Sequence, residues 1–249
     1  MNQKIDFKLP KFIGHRGVKN LCPENTIESV SKAFDLGLSF VEIDVKISKD
    51  QIPILLHDDT LDRTTTGTGL VSDFTYSNLK KLDAGKFFYN KKTNIYIPRL
   101  IDVLDLCVKR DGNLNIELKP NNTYEKINVE KVSEITKNIK GINMFFSSFD
   151  LISIEEITKI FPQSNRSLLI DSFDKHSFDE FLRFLQVNNI KICGLNLNII
   201  SNELIKKLKK NNILITVYSD NDISISKARY CFELGIDSIF IDDPTNLIY

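Results

Sequence analysis

The chain has 249 residues, and its 33 Lys and Arg balance 33 Asp and Glu, leaving no formal net charge. Apolar residues make up 42% and charged residues 27%, which is enough to build a core and excludes a disordered chain. The neutral balance also excludes a nucleic-acid protein driven by bulk positive charge. Residues 1–10 lack an apolar stretch of the kind a secretory leader needs. No segment approaches the roughly 20 apolar residues of a membrane span, so no stable membrane insertion is expected. The four cysteines, Cys22, Cys107, Cys193 and Cys231, form no C-x-x-C pair. Reduced thiols and a cytoplasmic protein are the expectation.

In chain order, strand-like apolar segments fall at 12–14, 40–47, 114–118, 144–147, 167–170, 192–197, 214–218 and 238–241. Helical periodicity falls between most of them, at 26–36, 100–109, 124–140, 151–160, 177–187, 202–210 and 222–234, with a stub at 245–249. Asn25 followed by Glu28 reads as a capping pair, and Gly37 and Gly235 stand where helix C-caps belong. Strand–helix repetition predicts a parallel sheet. Eight strands in a chain of this length predict an α/β protein, a (β/α)8 TIM barrel, with 1–249 as one domain. A doubly wound open sheet is the alternative. The stretch 48–98 breaks the rhythm, being far longer than the usual βα loop of roughly 2–6 residues. It holds a strand-like piece at 53–57, a Thr/Gly turn region at 64–69 and a helical turn at 77–82. It reads as a small insertion after the second strand, on the face where barrels build active sites.

Three histidines occur. His15 ends the first strand and His57 ends the apolar run Ile54-Leu55-Leu56, while His176 lies in a polar segment and reads as a cap or surface residue. The second strand carries the sharper signal. Side chains alternate across a strand, so Val41, Ile43 and Val45 share one face, and Glu42 and Asp44 share the other. The helix-facing side of a barrel must be apolar, which turns both carboxylates inward. The next strand repeats this, with Ile116 and Leu118 outward and Glu117 and Lys119 inward. Three acids in a low-dielectric interior call for a compensating cation, and oxygen ligands suit a hard divalent ion. An internal salt bridge to Lys119 is the competing reading. Arg16 and Lys119 supply a guanidinium fork and a point charge suited to phosphate. Asn196, Asn198, Thr216 and Tyr218 share inward parity and suit a polar pocket or ordinary barrel filling. Other features read as bland. The basic run 206–210 is a solvated helix face, 25–28 is a cap, and Gly67-Thr68-Gly69 is too short for a nucleotide loop.

Taken together, these motifs resemble the glycerophosphodiester phosphodiesterase family. The resemblance rests on His15-Arg16-Gly17, Pro23-Glu24-Asn25-Thr26, Glu42-Ile43-Asp44-Val45, His57-Asp58, Leu61-Asp62-Arg63-Thr64-Thr65, Leu82-Asp83-Ala84-Gly85, Ile97-Pro98-Arg99-Leu100 and Ile116-Glu117-Leu118-Lys119. It continues to the C-terminal run from Leu234 to Pro244 and spans nearly the whole chain in order. It implies hydrolysis of small glycerophosphodiesters to glycerol 3-phosphate and an alcohol. It implies one divalent ion, Mg²⁺ or Ca²⁺, at Glu42, Asp44 and Glu117. It further implies that His15 and His57 are acid/base residues, and that Arg16 and Lys119 contact phosphate. The expected division of labour is His15 as base and His57 as acid. Two departures stand out: Tyr218-Ser219 replaces a frequent Trp-Thr pair in the pocket wall, and Ile241 replaces a Thr. The rival readings are a lysophospholipid-cleaving enzyme, with Phe74, Phe87, Phe88 and Tyr89 as an apolar platform, and a non-catalytic phosphate-binding barrel.

Overall fold

A computed structural model describes residues 8–173 and 177–245. The strands are β1 (Phe12–Gly14), β2 (Phe40–Ile47), β3 (Pro53–Leu55), β4 (Asn113–Leu118), β5 (Met144–Ser148), β6 (Asn165–Ile170), β7 (Ile192–Asn196), β8 (Leu214–Tyr218) and β9 (Ser238–Ile241). All except β3 pair in parallel with their neighbours, and a Gly14–Val41 pairing between β1 and β2 closes the ring. The expected eight-stranded TIM barrel is therefore the fold. Its main helices are α1 (Ile27–Asp35), then, beyond two four-residue helices α2 (Tyr76–Leu79) and α3 (Lys86–Tyr89), α4 (Leu100–Arg110), α5 (Glu125–Thr136), α6 (Leu151–Ile160), α7 (Phe178–Val187), α8 (Asn202–Lys210) and α9 (Ile225–Glu233).

Alternation along each strand sorts the interior from the helical layer. Val41, Ile43 and Val45 of β2 are fully buried in the large core between sheet and helices, with Val30, Val103 and Val129. Inside the barrel a second cluster, Leu9, Ile13, Phe40, Phe145, Ile192 and Phe240, gathers mainly near the strands' N-terminal ends. The polar inward residues Glu42, Asp44 and Glu117 follow further along β2 and β4 and are buried too. The barrel thus has an apolar floor beneath a polar mouth.

Helix ends follow local chemistry more closely than periodicity. The N-cap of α1 is Thr26, whose hydroxyl accepts from Ser29 N, so the expected Asn25–Glu28 capping pair is corrected. Asn25 instead adopts positive φ and turns its amide toward β2. Ser224 caps α9 through Lys227 N, so that helix starts three residues later than expected. A turn bond from Ile139 N to Thr136 O closes α5 short of residue 140. Asn196 caps a 3-10 turn, Leu197–Ile199, through Asn198 N, which ends β7 and takes Asn198 off the strand. Gly37 and Gly235 have φ of 87° and 94°, as C-cap glycines require. The C-terminal stub and His176 lie outside the described residues, apart from Thr245.

The insertion begins with β3, which pairs antiparallel to the end of β2. It builds a separate small core from Ile54, Leu56, Leu61, Val71, Leu79 and Ile97, with Phe74 packed against it. Phe87, Phe88 and Tyr89 of α3 remain largely exposed.

Candidate active site

The turn after β1 is sterically dictated. A Cβ on Gly14 would meet Gly17 O at 2.3 Å, and Gly17 itself has φ of 85° with Ser29 Oγ 2.3 Å from any added Cβ. Only glycines fit both places. The turn aims the Arg16 backbone N–H at Glu42, donating to Oε2 at 2.8 Å. The Arg16 side chain donates to Glu24 at 2.8 Å and lies 3.3 Å from Asp44.

Glu42, Asp44 and Glu117 converge, with one oxygen of each within 4.8 Å of the others. Their environments differ. Burial pushes the Glu42 carboxyl well above the usual range, and the charges of Asp44 and Glu117 add to this. Burial also raises Glu117, to about 7, against the pull of Lys119 at 3.1 Å. Burial opposes the Asp44 charge as well, yet Arg16, Lys119 and a 2.7 Å bond from Asn25 Nδ2 hold that carboxyl well below the usual range. One acid is thus held ionised by its cationic partners while two are pushed toward protonation. Glu42 Oε1 is buried with no hydrogen-bond partner. A buried acidic oxygen without a donor, beside two converging carboxylates, fits a hard divalent cation.

Two histidines face this cluster, each backed by a carboxylate. His15 Nδ1 bonds Asp242 Oδ1 at 2.7 Å, and Lys19 holds the other Asp242 oxygen at 3.2 Å. His57 Nδ1 bonds Asp58 Oδ1 at 2.7 Å. Asp58 is gripped by Arg63, Arg63 grips Glu24, and Glu24 returns to Arg16. With Nδ1 donating to carboxylate, Nε2 is the nitrogen left for chemistry in both rings. Burial lowers the pKa of both histidines, against the opposing pull of Asp242 on His15 and of Asp44 and Asp58 on His57.

His15, Arg16, Glu42, His57, Glu117, Lys119 and Tyr218 all line one cavity of about 360 Å³. Asp44 lies against Arg16 and Lys119, 1% exposed. The acid/base, metal and phosphate-contact candidates and Tyr218 are therefore gathered at one barrel mouth. Thr216 and Asn196 are buried strand residues off that lining, and Asn198 departs with the turn that follows β7. Sequence reasoning passed over Asp242, Asp58, Arg63, Glu24 and Asn25 as positioning residues, although all lie in the motifs quoted above. It also passed over Lys46, which is 1% exposed and donates to Asp59 at 2.6 Å and to Lys119 O at 3.4 Å. The alternation that turned Glu42 and Asp44 inward applies equally to Lys46.

A TIM barrel whose mouth combines paired histidines and carboxylates, an acidic trio and fixed cations defines a class: hydrolases of phosphate esters. Comparison with known proteins narrows it. The profile of the Glycerophosphoryl diester phosphodiesterase family matches residues 15–246. A glycerophosphodiester phosphodiesterase of Caldanaerobacter subterraneus subsp. tengcongensis is 33% identical over 240 residues, covering 95% of each chain. One from Bacillus altitudinis is 32% identical, covering 96% of this chain and 97% of that one. Among solved structures, an Oleispira antarctica phosphodiesterase in complex with its product sn-glycerol-3-phosphate superposes with a TM-score of 0.87 at 28% identity, covering 94% of this chain and 93% of the other. The chain belongs to the glycerophosphoryl diester phosphodiesterase family and is a phosphodiester hydrolase.

Proposed function

We propose that the protein hydrolyses small glycerophosphodiesters to glycerol 3-phosphate and an alcohol, with His15 and His57 as its acid/base pair. One observation carries this reading: both carboxylate-backed histidines line the same cavity as Glu42, Glu117, Arg16 and Lys119. Glu42, Asp44 and Glu117 would hold one divalent ion, Mg²⁺ or Ca²⁺. When bound, that ion supplies positive charge against the non-bridging phosphate oxygens.

The remaining steps belong to side chains. Arg16 and Lys119 bind and orient the phosphate, held in place by Glu24, Asp44 and Glu117. His15 takes the proton of the attacking oxygen as the new P–O bond forms. His57 acts in its protonated form, with Nδ1–H on Asp58, and gives its Nε2 proton to the alcohol oxygen as the old P–O bond breaks, because an alkoxide leaves poorly near neutral pH. The division follows from exposure and charge. Burial lowers both pKa values, but His57 is less enclosed and Asp44 favours its protonated form. His15 is the more deeply buried ring and suits the neutral base. Tyr218 forms part of the substrate wall. The four buried cysteines are free, which suits work in the reducing cytoplasm on soluble diesters. No helix among the described residues is long and apolar enough to cross a membrane.

The test is release of glycerol 3-phosphate from glycerophosphocholine by the purified protein, first with excess chelator, then with Mg²⁺, Ca²⁺ or Mn²⁺ restored. Release abolished by chelator and restored by a metal is expected. Release indifferent to chelator removes the acidic trio as a metal site. No release under any metal, with cleavage of lysophosphatidylcholine instead, transfers the assignment to a lysophospholipid-cleaving enzyme, for which exposed Phe87, Phe88 and Tyr89 are the apolar platform.

A further inference from the structure

The insertion carries a surface that the reaction does not use. Every residue from Lys86 to Lys92 is exposed, and α3 buries none of its side chains. Phe87, Phe88 and Tyr89 are 54%, 42% and 40% exposed, so three consecutive aromatic rings face water. A single apolar residue at a surface needs no explanation, but a cluster of rings does. We propose that this tip is a peripheral docking site for an anionic lipid surface, holding the enzyme reversibly against a membrane through its rings and the lysines around them.

The tip is a closed, ordered loop. Asp83 shuts its base, accepting from Thr93 N at 2.6 Å, from Thr93 Oγ1 at 2.5 Å and from Gly85 N at 2.9 Å. Ala84 N donates to Ile95 O at 2.8 Å, and both residues are buried. Above that base, Tyr89 N donates to Gly85 O at 3.0 Å and Lys91 N to Lys86 O at 3.2 Å. Asn90 takes a left-handed backbone that ends α3, and its N–H also returns to Lys86 O. These donors are satisfied within the loop, so it can enter a headgroup layer without carrying them in unpaired.

Charge favours lipid over a protein partner. The chain is neutral overall, yet Lys80, Lys81, Lys86, Lys91 and Lys92 stand close together in sequence against one acid, Asp83, already occupied at the base of the loop. None of the five pairs with a carboxylate among the described residues. Lys86 Nζ lies 5.9 Å from the centre of the Phe87 ring, which puts cation and ring on the same turn. The core of a protein interface is depleted of lysine. A headgroup layer takes both groups at once: rings settle at its level, lysine stems lie along them, and each ammonium near an anionic surface adds attraction.

The tip also stands beside the barrel mouth. Lys19 lines both the active-site cavity and a second hollow of about 210 Å³, whose other walls include Glu24, Arg63, Phe87 and Phe88. The Tyr89 hydroxyl and the thiol of Cys22, in the turn after β1, share a hydrogen bond. Docking through the tip therefore brings the mouth close to the lipid. A glycerophosphodiester is a glycerophospholipid freed of its acyl chains, so deacylation at a lipid surface is the class of reaction that supplies it. That supply depends on the reading of the site as a glycerophosphodiester hydrolase; the docking surface does not.

The experiment mixes purified protein with vesicles of phosphatidylcholine alone, or of equal parts phosphatidylcholine and phosphatidylglycerol, and reads the bound fraction by sedimentation at low and high salt. The chain has no tryptophan, so Phe87→Trp adds a single fluorophore at the tip. Binding to the anionic vesicles should be stronger than to the neutral ones by about tenfold or more, should weaken with salt, and should shift the tryptophan emission to the blue. Lys91→Gln combined with Lys92→Gln should weaken it by about tenfold or more, and Phe87→Ser by about tenfold, with melting temperatures unchanged because these side chains are exposed. No binding to either vesicle, or equal binding to both, overturns the proposal. Binding that survives both sets of substitutions, or leaves the tryptophan emission unmoved, overturns the tip as the docking surface. Self-association that Phe87→Ser abolishes, without vesicle binding, makes the patch an interface between copies of the chain instead. Release of glycerol 3-phosphate from soluble glycerophosphocholine tests the hydrolase reading separately, so failure of one is told apart from failure of the other.

Discussion

The two histidines of the cavity are mounted in different ways. His15 stands at the end of β1, and its partner Asp242 follows β9, the neighbouring strand, with 5% exposure. The turn that carries His15 is pinned by glycines and by Ser29 of α1, whose hydroxyl accepts from Val18 N and donates to Arg16 O. His57 belongs to the insertion. Its partner Asp58 has a side chain 27% exposed, and Arg63, which holds Asp58, is 48% exposed. The first mount is set by packing and register in a low-dielectric place. The second is set by a chain of ion pairs, His57–Asp58–Arg63–Glu24–Arg16, that runs through partly solvated ground. A barrel strand delivers a side chain with its own rigidity, whereas an insertion must import that rigidity by charge. Packing is indifferent to salt; exposed ion pairs are not.

The largest effects test whether the two mounts serve equal chemical roles. His15→Ala and His57→Ala should each lower kcat by roughly 10²–10⁴-fold on glycerophosphocholine with KM little changed. The asymmetry between them lies in the leaving group. A substrate whose alcohol is already acidic, such as a nitrophenyl phosphodiester, needs no proton from an acid. It should recover much of the rate in His57→Ala and little in His15→Ala. Recovery in His15→Ala alone reverses the assignment of acid and base.

Next come the partners of the rings. Asp242→Asn and Asp58→Asn keep shape while removing the charge that fixes tautomer and orientation. Both should lower kcat by about 10- to 100-fold, Asp242→Asn more, because the His15–Asp242 pair is the more buried of the two and solvent does not replace the lost charge there. Equal losses would mean that the ion-pair chain orients its ring as firmly as the strand does.

The acidic trio gives a prediction in stability. Glu42 and Glu117 have carboxyl pKa values raised by burial, Glu117 to about 7. At these two carboxyls the metal-free folded state therefore binds more protons than the unfolded chain above about pH 4.3. Their contribution to stability falls as pH rises through the window between that value and about 7. The melting temperature of chelated native protein should accordingly fall relative to that of chelated Glu117→Gln between pH 5 and pH 7.5. Added Mg²⁺ or Ca²⁺ should raise it more at pH 7.5 than at pH 5, since the ion competes with those protons. Equal stabilisation at both values would place the bound ion elsewhere.

The same contrast decides what the sequence discloses. The eight barrel strands and the inward turn of Glu42, Asp44 and Glu117 follow from alternation, which the pleat imposes whatever the surroundings. Convergence of those acids with His15, Arg16 and Lys119 follows from register: Gly14 pairs with Val41 and Asp44 with Glu117, which sets the acids level with the ends of β1 and β4. The supporting partners are less visible, because pairing across 227 positions, as between His15 and Asp242, depends on closure of the ring rather than on any local pattern. Asn25 shows the other difficulty. Its neighbour Thr26 caps the helix, and a left-handed backbone at Asn25 frees its amide for Asp44, a division no spacing rule separates. The motif containing Asn25 looked like a cap and is both a cap and a clamp.

The smallest expected effect is the most direct probe of the insertion's mount. Arg63 donates to Asp58 and to Glu24, and its bond to Asp58 holds that carboxyl far below the usual range. A lowered carboxyl pKa contributes stability above the unfolded value near about pH 4, and the contribution is lost as pH falls below it. Because Arg63 is about half exposed, each pair is worth only about 0.2–1 kcal/mol. Arg63→Met, which keeps the stem and removes both pairs, should therefore lower the melting temperature near pH 7 by no more than about 4–8 °C. Its larger mark should fall on function under salt. In the native protein, kcat should decline as ionic strength rises and the chain of pairs is screened. In Arg63→Met, kcat starts lower and is flat with salt, because the screened link is already gone. A salt dependence identical in the two proteins would show that His57 is held by the insertion's own core, around Ile54, Leu56 and Leu61, and that the ion-pair chain only decorates a position which packing has fixed.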